Sequence, residues 1–68
     1  MTWFDLKSYQ RTPAGVCLDD KTFSFLAKDE KQARDIAYRR VREFPARFYG
    51  VLYDDKGAQL WSGDSPDA

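Results

Sequence analysis

Residues able to make or break bonds are few in this chain. Histidine is absent, which removes the commonest general base and metal ligand. The one thiol, Cys17, sits between Val16 and Leu18, and a thiol in an apolar setting with no imidazole beside it is usually inert. Two carboxylate pairs, Asp19-Asp20 and Asp54-Asp55, have the oxygen donors that Mg²⁺ takes. Adjacent side chains in an extended segment point to opposite sides, and both pairs fall where turns are expected, so a turn role is expected for them. The four glycines are isolated, without the spacing of a phosphate-cradling loop. No catalytic residue, metal, cofactor or small-molecule substrate is expected, and the chain reads as a non-enzyme.

The chain is better supplied with side chains for non-covalent recognition. Trp, Tyr and Arg are the types that dominate binding hot spots. Two groups of them stand out: Trp3, Tyr9, Tyr49, Tyr53 and Trp61 in stretches rich in β-formers, and Tyr38, Arg39, Arg42 and Arg47 in and after a helical stretch. The first group is the candidate protein-interaction surface. The second is a candidate basic contact.

A length of 68 residues allows one small domain, with a core of modest size. Residues 1–62 are expected to form it and residues 63–68, GDSPDA, a flexible polar tail. The aromatic content and zero net charge argue against disorder and make a dedicated nucleic-acid binder less expected, because such domains are usually strongly basic. A lone cysteine cannot staple the chain, whereas small secreted domains usually rely on several. With no visible leader and no apolar run near a membrane span, a cytoplasmic location is expected. The charge is uneven. Residues 28–47 carry seven basic and four acidic side chains, and residues 48–68 carry one basic and four acidic.

The elements that would position these groups follow from periodicity. Residues 2–10 alternate as a half-buried strand. Pro13 and Gly15 mark a turn, Val16 to Leu18 reads as a short extended piece, and 19–21 reads as a second turn before the strand TFSFLA. Asp29 is a good N-cap with Gln32 three residues on, as in a capping box. Ala33, Ile36, Ala37, Val41 and Phe44 then form one apolar stripe, up to Pro45, which predicts a helix over about 30–44. Residues 48–53 and 58–62 read as strands joined by a turn at 54–57. The expected fold is a small α+β domain of ββαββ order, a largely antiparallel four-stranded sheet with one helix on one face.

One helix covers one face of such a sheet, and the other face should be mostly polar. Strict alternation instead places Trp3, Tyr9, Tyr49, Val51, Tyr53 and Trp61 opposite the helix side. An exposed aromatic patch usually marks an interaction surface. The outer helix face carries Lys31, Asp35, Arg39 and Glu43 at four-residue spacing with alternating sign, which suits a solvated surface. Arg40 points toward the apolar stripe, where its stem is expected to cover apolar surface.

In length and layout, the stretch LAKDEKQARDIAYRRV followed by FYGVLYDDKG resembles many small bacterial and phage proteins, some phage-encoded anti-CRISPR proteins among them. The likeness is one of element order and transfers no residue's role. Three functional expectations result. The first is a non-catalytic protein-interaction module, with a protein partner or a second copy on the aromatic face. A narrower form is a phage-type inhibitor docking on a host nucleic-acid-handling complex, as that resemblance implies. The third is weak nucleic-acid binding through the basic helix end and the aromatics.

Overall fold

In the computed structural model, which describes residues 1–13, 15 and 17–65 (backbone alone for 17–20), the chain runs β1 Thr2–Arg11, β2 Cys17–Ala27, α1 Glu30–Val41, β3 Phe48–Tyr53 and β4 Gln59–Asp64. The strands form one sheet in the order β2-β1-β3-β4, antiparallel at every pairing. The single helix packs on one face. This is the α+β arrangement that the alternation and the helical stripe call for.

The helix starts where Asp29, in extended backbone, accepts a hydrogen bond at Oδ1 from the Gln32 N–H at 2.8 Å. The Gln32 side chain reaches back, to the N–H of Lys28 at 2.7 Å. It thus satisfies a donor one residue earlier than the usual reciprocal box. Glu30 in the first turn and Arg39 and Arg40 in the last complement the helix dipole. Regular helix ends at Val41, earlier than the expected Phe44. The next residues tighten into turns in which Glu43 and Phe44 donate to the carbonyls of Arg40 and Val41, so Phe44 still faces the core.

Phe4, Leu6, Ala27, Ala33, Ala37, Val41 and Leu52 form the buried core. Ala33 and Ala37 bring the helix backbone close to the sheet. At its C-terminal end it lies over Gly50, where a Cβ would fall 2.6 Å from Val41 Cγ2 and 3.1 Å from Leu6 Cδ1. A side chain at position 50 would therefore push the helix away.

Three boundaries differ from the sequence reading. The turn expected at 19–21 is absent, and β2 runs unbroken from Cys17 to Ala27. What the acidic pair marks there is a register shift: Ser8 pairs with Lys21 and Tyr9 with Asp19, leaving Asp20 as the extra residue of a bulge. Ser8 is buried at a core position of β1. Its Oγ accepts from the Lys21 N–H at 3.0 Å and donates to the Lys21 carbonyl at 3.3 Å, filling the gap in the ladder. Second, β4 extends to Asp64, and the N–H of buried Ser65 donates to the Phe48 carbonyl at 3.0 Å. Residues 63 and 64 thus belong to the sheet, Ser65 is tied to its end, and the rest of the expected tail, 66–68, lies outside the described residues. Third, β1 reaches Arg11. The 54–57 turn is as expected. Asp54 Oδ1 accepts from the N–H groups of Lys56 and Ala58 at 2.9 and 2.8 Å, and Gly57 adopts φ +84°.

Candidate interaction face

The sheet face away from the helix is set by register. On β1 it carries Trp3, Asp5, Lys7 and Tyr9, on β3 the partners Tyr53, Val51 and Tyr49, and on β4 Gln59, Ser62 and Asp64. No element of the described chain packs across it. Directly opposed side chains on such a face are in contact range, and here they form a connected cluster. The Tyr9 and Tyr49 rings stack with centroids 5.3 Å apart and an interplanar angle of 20°. The Arg11 guanidinium lies 4.6 Å from the Tyr49 ring centroid, and its Nη2 donates to Asp64 Oδ1 at 2.9 Å. Lys7 Nζ lies 5.5 Å from the centroid of Tyr53. Between the two tyrosines of β3, Val51 is nearly buried. Tyr49, Val51, Tyr53, Ser62 and Asp64 line an open groove of about 460 Å³.

The structure thus brings Tyr9, Tyr49 and Tyr53 together and places the other two members of the expected patch elsewhere. Trp61 is on the opposite face. It pairs with Leu52 and packs against the core beneath the helix. The cause is a register shift in β4. Tyr53 pairs with Gln59 and Leu52 with Trp61, so Leu60 is an extra residue. One extra residue inverts the facing of everything beyond it, and Leu60 and Trp61 both end against the core. Trp3 keeps the expected face but sits about 20 Å along β1 from Tyr9. There it pairs with Leu26, and both are exposed, at 56% and 44%.

The basic group also divides. Tyr38 and Arg39 on α1 and Arg42 at its C-cap are exposed, across the molecule from the groove, with the Arg42 guanidinium 5.7 Å from the Tyr38 ring centroid. Arg40 covers Phe23, 5.2 Å from its centroid, in the packing role its position suggested. Among the described residues, the alternating charges Lys31, Asp35, Arg39 and Glu43 close no ion pair with one another. Arg47 lies instead at the groove end of the sheet. Its carbonyl accepts from the Arg11 N–H at 2.8 Å, and it has φ +71° within a turn closed from the Phe48 N–H to the Pro45 carbonyl.

Arg11 and Asp64 escaped the sequence reading, whereas Lys7 stands on the face to which the β1 alternation assigns it. The odd-numbered parity of Trp3, Asp5, Lys7 and Tyr9 continues to Arg11, but the Pro13 turn signal made the strand look one residue shorter. Asp64 was hidden by the bulge, which returns it to the groove side.

The face offers Val51 as a nearly buried floor, tyrosine walls and the Arg11–Asp64 ion pair. Among the described residues, no group of three or more potential ligands gathers for a metal ion, and no helix is long and apolar enough to cross a membrane. No family model, curated protein or solved structure matches the chain.

Proposed function

We propose that this chain is a non-catalytic protein-interaction module that binds a protein partner through the tyrosine groove of its uncovered sheet face. The observation that carries this reading is the engagement of the rings before any partner arrives. Tyr49 is held by Tyr9 and Arg11, and Tyr53 lies under Lys7. Side chains already ordered lose little freedom on binding, and tyrosine supplies large, rigid, amphipathic contact area.

The same observation weighs against base stacking, which needs open ring faces beside a positive track. Here cations of the chain itself lie against the rings, and Asp5 and Asp64 flank them. It also narrows the inhibitor form of the proposal. Of the four carboxylates in the acidic C-terminal third, Asp64 is paired with Arg11 and Asp54 accepts within its turn, so these two are less available for mimicry of a phosphate backbone.

The test is capture of a partner by the immobilised chain, followed by affinity measurement with variants. Tyr53→Ser, with the fold confirmed by circular dichroism, is expected to weaken binding at least tenfold, as for a hot-spot residue. The double variant Arg39→Ala/Arg42→Ala on the helix is expected to bind as the parent does. The opposite pattern, or a preference for an oligonucleotide with steep salt dependence, refutes the proposal.

A further inference from the structure

The sheet has two edges, β2 and β4, and they are built differently. β4 has six residues and carries a bulge, a feature that blunts an edge against further pairing. β2 has eleven residues, and its register shift lies toward its start. From Thr22 to Ala27 it reads TFSFLA, with no charge, proline, glycine or bulge. An edge of this kind presents unpaired N–H and C=O groups as a template for another strand.

Both sides of that edge carry uncovered apolar surface. On the helix side, Phe25 stacks on Phe4 with centroids 6.1 Å apart and Arg40 lies over Phe23, yet both phenylalanines remain only half-buried. On the other side, Leu26 and its neighbour Trp3 are exposed.

We infer that β2 pairs with β2 of a second copy of this chain, antiparallel about a two-fold axis at Ser24, to form one continuous eight-stranded sheet. The segment is self-complementary about that point. Phe23 meets the partner's Phe25, Thr22 meets the partner's Leu26, Ser24 meets the partner's Ser24, and Lys21 meets the partner's Ala27. No like charges are opposed, and the half-covered phenylalanines continue the core across the axis. Moving the axis to Phe23 sets Lys21 against the partner's Phe25. Moving it to Phe25 leaves Phe23 against the partner's Ala27. Directly opposed residues share a sheet face, so both helices fall on one side and both tyrosine grooves on the other. The assembly therefore presents two grooves on one surface. The pairing itself does not rest on the binding role of the tyrosines.

The test uses the full chain. With Cys17→Ser as background, Ser24→Cys brings two thiols opposite each other. Opposed Cα atoms in an antiparallel pair lie about 4.5–5.5 Å apart, within disulfide range. Mild oxidation is expected to give a covalent dimer, whereas Ser62→Cys on β4 is expected to stay monomeric. In sedimentation experiments, Ser24→Lys and Ser24→Glu each set like charges across the axis and are expected to raise the dimer Kd about fivefold. Mixing the two variants restores association. Tyr53→Ser leaves the dimer intact, which separates this inference from the groove's role. A monomer at all concentrations refutes it. So does a dimer that resists Ser24→Lys but is lost in Tyr53→Ser, which would place association on the tyrosine face.

Discussion

Truncation of Trp61 separates the two faces of the sheet. Strict alternation puts Trp61 with the tyrosines, where Trp61→Ala would cost binding and spare the fold. The structure puts it under the helix, against the core, where the same change removes packing. A fully buried Trp→Ala change costs about 3–5 kcal/mol, and Trp61 is partly exposed, so a loss of about 1.5–2.5 kcal/mol is expected. At about 4–8 °C per kcal/mol for a domain of this size, Tm should fall by roughly 6–20 °C. Trp3→Ala removes an exposed ring whose described cross-strand neighbour is Leu26, and should cost less than about 1 kcal/mol.

Gly63 supplies a second reading of the same contact. A Cβ there would lie 2.6 Å from Trp61 Cη2 and Cζ2, so the indole lies over the glycine. Gly63→Ala is expected to destabilise the parent and to have little effect in the Trp61→Ala background, a coupling that a double-mutant cycle reads directly. Urea and thermal melts by circular dichroism provide the free energies. In the single-tryptophan variants Trp3→Phe and Trp61→Phe, acrylamide should quench Trp3 more strongly than Trp61. A Trp61→Ala loss below about 0.5 kcal/mol, together with equal quenching of the two indoles, refutes the assigned register of β4.

Two further substitutions probe the groove's supports. Arg47 holds φ +71° at the third position of the Pro45–Phe48 turn, a position that favours glycine. Arg47→Gly is expected to raise stability by about 0.5 kcal/mol after the entropy cost of glycine is subtracted, read as a Tm increase of a few degrees; a decrease would show that the Arg47 side chain makes a contact of its own. Ser8→Ala removes the hydroxyl that serves both backbone groups of Lys21 and is expected to cost about 1–2 kcal/mol, with faster amide exchange at Lys21. An unchanged melt and exchange rate would mean that the bulge closes its own ladder.

Much of the fold was legible because the periodic signals were strong. The helix stripe from Ala33 to Val41, its Asp29 cap, the β3 limits and the Asp54–Gly57 turn all follow from local chemistry, and the ββαββ order follows from them. What failed to read were the two bulges. Asp19-Asp20 has the composition of a turn, yet cross-strand pairing with β1 and the Ser8 hydroxyl hold it within a strand. Leu60-Trp61 reads as alternation, yet both residues find apolar surface on the helix side. A bulge is decided by what the neighbouring strand offers, and no property of Leu60 or Asp20 alone announces it. Site residues on β3, such as Tyr49 and Tyr53, whose register with β1 is unbroken, were therefore placed on the right face, and Trp61, beyond the bulge of β4, was not.

Removing Trp61 from the patch changes what the face can recognise. A broad surface of two tryptophans and three tyrosines would favour loose apolar contact. What remains together is narrower. A row of tyrosines is braced by Lys7 and Arg11, with Asp64 holding Arg11 in place and Val51 as the floor. Under the proposed function, a partner segment would lie between the tyrosine walls and hydrogen-bond at the polar rim formed by Gln59 and Ser62. Trp3 and Leu26, now separate from that groove, lie beside the open β2 edge, where apolar surface favours a second strand. The two regions are thus different in kind. One is a preordered rim around a groove, which the proposed partner would occupy, and the other flanks an unpaired backbone edge, where the inferred second strand would pair.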